Sequence, residues 1–257
     1  MRSSNYILEL KKVSKNFGGI QAISQVSFQV ERGQIFSIIG PNGAGKTTAI
    51  NLITGIHSPS SGGIFFEGQD LYRKKTYQIA HMGIGRTFQN IQMFQNMTVR
   101  DNVKVGLHTK GRSGFFRCLL HSSAVRKEEE MIRHKTDGIL EFLELQAKAD
   151  LLAAGLPYGD QKRVEIARTL ALEPRLLLLD EPVAGLNLRE TDEMSEIINK
   201  IREKGITIII VEHDMNLVMG ISNNITVLNY GEKIAEGSSK EIQNNPKVIE
   251  AYLGKEL

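Results

Sequence analysis

Residues 40–47, with the sequence GPNGAGKT, constrain the fold of this chain of 257 residues more than any other segment. They match the phosphate-binding loop pattern G-x-x-x-x-G-K-[ST], in which glycines let successive backbone N–H groups face phosphate oxygens. In this pattern Lys46 neutralises the β- and γ-phosphates, and Thr47 offers its hydroxyl to Mg²⁺. The apolar run 35–39 predicts a buried strand before the loop, and residues 48–54 predict the first turns of a helix after it. A chance glycine-rich turn before a lysine would lack this order of strand, loop and helix.

The composition is that of an ordinary globular protein, with 41% hydrophobic and 24% charged residues. The net charge of +3 is too small to indicate nucleic-acid binding, so no nucleic-acid partner is expected. The single cysteine, Cys118, cannot form an intrachain disulfide, which fits a reducing compartment. The sequence has neither an apolar run of about 18 residues nor a signal-peptide pattern. We therefore expect a cytosolic protein that works at a membrane only through a partner.

The β-type patterns of the sequence fall into two groups. Short patterns within 7–36 and 62–67, broken by glycines, predict a mainly antiparallel sheet. The continuous apolar runs 176–179 and 206–211 predict strands buried on both faces, as in a parallel sheet. Residues 188–203 lie between these runs and have the apolar spacing of a helix. We therefore predict an α/β fold, with a P-loop NTPase core built on a mainly parallel sheet and an antiparallel β subdomain.

A third region is rich in helix formers and charge and shows no strand pattern. We predict an inserted helical subdomain over about 97–156, with the core formed by about 1–96 and 157–257, all within a single domain. Basic residues outnumber acidic ones between Arg100 and Lys127. Two interpretations of this basic tract stay open: a solvated linker, or a segment close to anionic lipid headgroups.

Two carboxylates follow directly on one of the apolar runs. The four leucines 176–179 are followed by Asp180 and Glu181. A buried strand that ends in Asp places a carboxylate beside a phosphate loop, where it can hold Mg²⁺. Glu181 projects in a different direction and can polarise an attacking water. Two solvated acids at the end of a core strand are the alternative, and the phosphate loop upstream argues against it.

The order of these features resembles the ATP-binding-cassette family. Members of that family carry a phosphate loop, a glutamine at the place of Gln89, a signature segment, an Asp-Glu pair and a histidine at the place of His213. The family signature is L-S-G-G-Q, and this chain has Leu156, Pro157, Tyr158, Gly159 and Asp160 at those positions. The family serine donates a hydroxyl hydrogen bond to the ATP of the facing subunit, whereas Pro157 has no donor.

The resemblance implies a role for each matching residue. It implies that ATP is bound by Phe17, which stacks on adenine, and by Gly40, Pro41, Asn42, Gly43, Ala44, Gly45, Lys46, Thr47 and Thr48. It implies catalytic roles for Glu181, His213 and Gln89. It implies that Mg²⁺ is held by Thr47, Gln89 and Asp180. Finally, it implies that the loop formed by Ala184, Gly185, Leu186 and Asn187 crosses the interface of an ATPase dimer, although the family usually has Asp in place of Asn187.

Further segments are similar to the ATPases of branched-chain amino acid importers. These are YGDQ at 158–161, VEIAR at 164–168, EHDM at 212–215 and the C-terminal pattern that ends in AYLG. The resemblance implies ATP hydrolysis that energises uptake of Leu, Ile or Val, with ATP and Mg²⁺ as cofactors. It also implies a second cassette ATPase in a heterodimer, two membrane permease subunits and an external substrate-binding protein. The chain would then lie peripherally on the cytoplasmic face of the inner or plasma membrane, and residues 104–130 would be an insertion typical of this group.

Two other functions are compatible with the cassette motifs. One is the ATPase of a lipid or lipopolysaccharide export system, which has a similar length and similar motifs. The other is a soluble cassette ATPase that acts in DNA repair or on the ribosome, although such chains usually carry a long coiled coil or two cassettes. Four apolar residues after Gln89 also have two interpretations, packing within the helical subdomain or forming a groove for a helix of the membrane subunit. They are Ile91, Met93, Phe94 and Met97.

Overall fold

The computed structural model describes residues 5–108 and 123–253 of the chain. The chain folds as two compact units, a first unit formed by Met1–Arg86 with Arg175–Leu257 and a second unit formed by Thr87–Pro174. The helical subdomain expected at 97–156 falls inside the second unit, which extends beyond it at both ends.

Some of the sequence-based expectations fall outside the described residues. Cys118 does, and so does the middle of the expected insertion 104–130, from 109 to 122. The basic tract is therefore described only at its two ends. Over the residues described, no helix combines the length and the apolar character that crossing a bilayer requires.

The strands of the first unit form two sheets. In chain order they are β1 (Tyr6–Phe17), β2 (Ile20–Glu31), β3 (Ile35–Ile39), β4 (Ser61–Phe66), β5 (Gln69–Asp70), β6 (Ile84–Arg86), β7 (Leu176–Asp180), β8 (Thr207–Val211), β9 (Asn224–Asn229) and β10 (Glu232–Gly237). One sheet has the order β10-β9-β3-β8-β7-β6, and the other has the order β2-β1-β4-β5. Within the six-stranded sheet every neighbouring pair is parallel except β10 and β9.

The helices are distributed over both units. Those of the first unit are α1 (Lys46–Ile53), α2 (Thr76–His81), α6 (Leu188–Glu203), α7 (Met215–Ile221), α8 (Ser239–Gln243) and α9 (Pro246–Leu253). Those of the second unit are α3 (Val99–His108), α4 (Ser123–Phe142) and α5 (Tyr158–Leu170), with 3₁₀ turns at Gln146–Lys148 and Ala153–Gly155.

The centre of the six-stranded sheet is buried on both faces. Every residue of β3, β7 and β8 is buried, because these strands are almost wholly apolar and so lose no polar group to a dry environment. Each fully buried Leu or Ile contributes about 1.5–3 kcal/mol relative to an exposed one. Helix α6 buries Met194, Ile197, Ile198 and Ile201, which lie on one face at helical spacing. The predicted parallel core is confirmed.

The four-stranded sheet confirms the predicted antiparallel subdomain. Strand β1 pairs antiparallel with both β2 and β4, so that Leu8 lies opposite Val30 on one side and Phe66 on the other. All three of these side chains are buried. Phe28 of this sheet stacks on Phe36 of the six-stranded sheet, with ring centroids 5.1 Å apart. The two sheets of the first unit therefore share one hydrophobic core.

Candidate functional site

The phosphate loop begins where β3 ends and leads directly into α1. Gly40 has φ +152°, and a Cβ atom there would lie 2.1 Å from the carbonyl oxygen of Leu228. Gly45 has φ +102°, and a Cβ atom would lie 2.7 Å from the carbonyl oxygen of Ala22. Both contacts are with backbone that cannot move aside, so only glycine fits at either position. Residues 40–45 thus form a tight loop ahead of the N-terminus of α1, which favours an anion.

Lys46 is the first residue of α1 and is buried. Its Nζ donates to the carbonyl oxygens of Gly40 at 2.7 Å and Pro41 at 3.0 Å. Burial lowers the pKa of the Lys46 ammonium, and the carboxylates of Glu181, Asp180 and Glu212 act in the opposite direction. Lys46 therefore lies within electrostatic range of the acidic groups that follow β7 and β8.

The register of the parallel strands explains why these groups meet. Val211 at the end of β8 lies opposite Asp180 of β7 on one side and Ile38 of β3 on the other. The carboxyl ends of the three strands therefore share one edge of the sheet, where ligands of open α/β folds bind. This edge brings together the phosphate loop, Asp180, Glu181 and His213.

Glu181 is held in an unusual backbone conformation. Its φ is +50°, which is uncommon for a residue other than glycine, and its N–H donates to the carbonyl of Val211 at 2.8 Å. Its Oε1 lies 3.7 Å from Nδ1 of His213, whose side chain is 61% exposed. Residues held in sparsely populated conformations cluster at functional sites. The geometry gives Glu181 a partly exposed carboxylate beside His213, suited to accept a proton from water.

Asp180 and Thr47 supply the oxygen donors that Mg²⁺ prefers. Asp180 ends β7 as a buried carboxylate, and Thr47 lies exposed in the first turn of α1. Among the described residues, no three His, Cys, Asp or Glu side chains are grouped so that they could hold a metal ion. Mg²⁺ commonly takes one or two protein oxygens and completes its shell with substrate phosphates and water. The donors present therefore fit a Mg²⁺ that arrives with a nucleotide.

Sequence reasoning missed Glu212, which is 1% exposed. Its Oε1 accepts from the N–H of Val183 at 3.1 Å, and its Oε2 accepts from the N–H groups of His213 at 2.9 Å and Asp214 at 3.3 Å. One carboxylate thus ties the segment after Glu181 to the segment that carries His213. The signal in the sequence was a charged residue directly after the wholly apolar β8.

Sequence reasoning also missed Arg86, the last residue of β6. Its Nη2 donates to Asp180 Oδ2 at 2.9 Å, and its Nη1 donates to Asn51 Oδ1 at 2.7 Å. Arg86 therefore connects the predicted metal-binding carboxylate to α1. No local spacing pointed to this pair, since Arg86 and Asp180 are 94 residues apart.

Phe17 and the loop 184–187 also lie in the first unit. The Phe17 ring is 41% exposed and meets the His57 ring edge-on at 5.0 Å, while Lys15 Nζ lies 4.9 Å from its centre. Asn187, the last residue of the loop, caps α6: its side chain accepts from the N–H of Glu190, whose carboxylate accepts from the N–H of Asn187. The Asn187 side chain is thus engaged within its own chain.

Gln89 belongs to the second unit and is exposed. The backbone on either side of it is held by Glu165 of α5, whose Oε1 accepts from the N–H of Phe88 at 2.9 Å and from that of Gln92 at 3.4 Å. Burial raises the pKa of Glu165, and these two N–H groups act in the opposite direction. Arg168, one turn further on, donates to the carbonyl of Gln92. Helix α5 therefore fixes the segment that carries Gln89.

The same helix begins in the signature segment. Pro157 is its N-cap, and Tyr158 and Gly159 lie in the first turn, where N–H groups have no partner within a helix. Asp160 is buried and pairs with Lys148, so its charge is balanced inside the second unit. Leu156 accepts from Nε2 of Gln161 at 2.9 Å. The helix N-terminus supplies backbone donors in place of the serine hydroxyl that the family pattern has.

The four apolar residues after Gln89 divide by exposure. Ile91 and Met93 are half-buried, whereas Phe94 and Met97 are 44% and 40% exposed. The backbone under Phe94 is fixed by the fully buried Asn102, which accepts from the N–H of Phe94 at 2.9 Å and donates to its carbonyl at 3.0 Å. Phe94 and Met97 thus form an exposed apolar surface on an ordered loop.

Comparison with known proteins agrees with this geometry. A family model described as ABC transporter matches residues 23–184, and one described as branched-chain amino acid ATP-binding cassette transporter matches residues 232–257. The chain is 42% identical over 252 residues to the high-affinity branched-chain amino acid transport ATP-binding protein BraF of Pseudomonas aeruginosa, covering 98% of this chain and 99% of that protein. It is 43% identical to LivG of Salmonella typhimurium, a protein of the same description, with the same coverage.

Solved structures agree as well. An ATP-binding cassette of an ABC transporter in its ADP conformation is 36% identical with a TM-score of 0.85, covering 98% of this chain and all of that one. A dimeric cassette bound to ADP and Pi in a post-hydrolysis state is 27% identical with a TM-score of 0.76, covering 90% of this chain and 98% of that one. The chain therefore belongs to the ABC transporter family, in the group of branched-chain amino acid ATP-binding cassette proteins.

Proposed function

We propose that this chain is the ATP-hydrolysing subunit of an importer for branched-chain amino acids. The observation that carries the catalytic part is the sheet edge at which Lys46 lies within electrostatic range of Asp180 and Glu181. The match of residues 232–257 to a branched-chain amino acid cassette model supports the choice of substrate, as do the near full-length relatives. The same match favours import of amino acids over lipid export or a soluble role outside transport.

In the proposed reaction the phosphate loop and Lys46 bind the phosphates of ATP. Glu181 accepts a proton from the water that attacks the γ-phosphorus, and the bond between this phosphorus and the leaving ADP oxygen breaks. His213 lies beside Glu181 and would contact the γ-phosphate. Thr47, Asp180 and Gln89 would hold Mg²⁺, which neutralises charge on the phosphates.

The proposed partners follow from the exposed surfaces. The loop that presents Phe94 and Met97 would receive a cytosolic helix of a membrane subunit, because methionine and an exposed ring suit an adaptable docking surface. We infer two such membrane subunits and a substrate-binding protein outside the membrane. The chain would then lie on the cytoplasmic face of the inner or plasma membrane as a peripheral subunit.

The signature segment supports pairing with a different cassette ATPase. Pro157 supplies no hydroxyl to an ATP bound by a facing subunit, and the side chain of Asn187 is engaged in capping α6. Both features weaken the contribution of this chain to a site completed by two subunits. A heterodimer would carry this weakness in only one of its two sites, so it should form in preference to the homodimer.

The Glu181→Gln variant tests the proposed catalysis. The amide keeps the size of the side chain but cannot act as a base, so hydrolysis should fall by about 10²- to 10⁴-fold while ATP still binds. Lys46→Ala is the comparison variant and should lose ATP binding, because it removes the charge beside the phosphates. Turnover of Glu181→Gln close to that of the wild type would contradict the assignment of the base.

Uptake measurements test the proposed substrate. Cells that lack this chain should take up radiolabelled Leu, Ile and Val slowly, and the wild-type chain should restore the rate. The Glu181→Gln variant should not restore it. Unchanged uptake of all three amino acids in cells without the chain would contradict the importer function, even if ATP hydrolysis is confirmed.

A further inference from the structure

Arg86 joins the two elements of the first unit that carry the oxygen donors for Mg²⁺. It ends β6, which runs parallel to β7 with Arg86 opposite Leu178. Its Nη2 donates to Asp180 Oδ2 at 2.9 Å, and its Nη1 donates to Oδ1 of Asn51 at 2.7 Å. Asn51 is part of α1, whose first turn carries Thr47. One planar guanidinium therefore spans from the end of β7 to the helix that follows the phosphate loop.

Burial makes this connection strong and specific. The side chains of Arg86 and Asp180 are only 9% and 5% exposed, so water screens their attraction weakly. Thr54, at the C-cap of α1, adds a third oxygen 3.4 Å from Nη1 of Arg86. Arginine holds several acceptors at once through a rigid fork of donors, whereas lysine presents a single point charge. A lysine at position 86 would keep the charge but reach only one of the two elements.

We propose that Arg86 is a positioning residue for nucleotide-bound Mg²⁺. It fixes the orientation of the Asp180 carboxylate relative to Thr47 without touching the metal or the nucleotide. This inference rests on the proposed ATPase function, which assigns Mg²⁺ to Thr47 and Asp180. Side chains that orient metal ligands from behind typically change metal affinity by about 10- to 100-fold when they are replaced.

The test measures nucleotide binding with and without Mg²⁺ for Arg86→Lys and Asn51→Ala. Binding of a fluorescent ATP analogue is titrated first in EDTA and then at fixed nucleotide with increasing Mg²⁺. Arg86→Lys should bind within about two-fold of the wild type in EDTA, while its half-saturating Mg²⁺ concentration rises about 10-fold. Asn51→Ala keeps the ion pair and should shift the Mg²⁺ titration in the same direction by a smaller factor. The matched control is Arg32→Lys, because Arg32 pairs with Glu67 at 2.7 Å but is largely exposed.

Several results would overturn the proposal. An unchanged Mg²⁺ titration in Arg86→Lys would do so, and so would equal weakening with and without Mg²⁺, since that indicates a general structural role. If Arg86→Lys does not fold, an unshifted Asn51→Ala titration overturns it instead. A wild-type protein that binds nucleotide without regard to Mg²⁺ would overturn the metal assignment itself, and the proposed function with it. A Mg²⁺-dependent wild type with unaffected variants removes only the role of Arg86.

Discussion

Glu212 offers a sharp test of how the segments around Glu181 and His213 are held. Both oxygens of its buried carboxylate are acceptors, one for the N–H of Val183 and the other for the N–H groups of His213 and Asp214. In Glu212→Gln an NH₂ group replaces one of these oxygens and must face an N–H donor. The variant therefore loses at least one hydrogen bond whichever way the amide is oriented.

The size of the effect follows from the less costly orientation. If the NH₂ group faces Val183, one buried N–H is left unsatisfied, at a cost of about 1–3 kcal/mol. The two remaining bonds lose their charged acceptor, and charged hydrogen bonds are roughly twice as strong as neutral ones. The total destabilisation is about 2–4 kcal/mol, which corresponds to a fall in melting temperature of about 5–15 °C for a chain of this size. ATP hydrolysis should fall too, because Val183 and His213 lie next to or near the catalytic groups.

Glu165→Gln is the matched control. Glu165 is also a buried glutamate with two N–H donors, but Phe88 and Gln92 both donate to the same oxygen. A glutamine carbonyl in that place keeps both bonds, so the melting temperature should fall by no more than about 3 °C. The comparison of the two variants by thermal melting separates acceptor arrangement from burial. Equal melting temperatures for Glu212→Gln and Glu165→Gln would refute the reasoning.

The Glu165 control also predicts a dependence on pH. Burial raises the pKa of Glu165 above its ordinary value of 4.5. The stability linked to its protonated form is therefore complete below pH 4.5 and is lost as the pH rises through the raised pKa. Glutamine does not titrate, so the stability of the wild type relative to Glu165→Gln should decrease over this range. A difference that grows with pH would mean that the carboxylate is stabilised in its charged form.

Two further predictions concern the partners. The double change Phe94→Asp with Met97→Asp should abolish amino acid uptake but leave ATP binding and the melting temperature unchanged, because both side chains are exposed; Met131→Asp, at a 50% exposed site on α4, is the control that should spare uptake, and a large loss of stability in the double variant would instead mean that the two side chains are structural. Because Pro157 lacks a charge-assisted bond worth about 1.5–3 kcal/mol, or about 10- to 100-fold in affinity, sedimentation of Glu181→Gln with ATP and Mg²⁺ should show weak self-association and a tight complex with a second cassette ATPase. A tight dimer of this chain alone at micromolar concentration would contradict that inference.

The sequence by itself determined the elements whose chemistry is local. The phosphate loop, the strand that ends in Asp180 and the helix 188–203 follow from residues within about one element of each other, because backbone conformation and periodic burial are set over short distances. The same is true of the two-faced burial of β7 and β8, which needs only a continuous apolar run. These elements also predicted that Asp180 and Glu181 meet the phosphate loop, since parallel strands place their carboxyl ends at one edge.

Only the tertiary structure decided how these groups are held. The bond from Arg86 to Asp180 spans 94 residues, and that from Glu212 to Val183 spans 29. Neither depends on a local period; each depends on the register of neighbouring strands and on the direction of a side chain at a strand end. Asn187 illustrates the same limit, because the family pattern placed it in a dimer loop while the fold uses its side chain to cap α6. A hydrogen bond forms only within about 3 Å and over a narrow range of angles, and such distances are set by the packing of whole elements rather than by the spacing of residues along the chain.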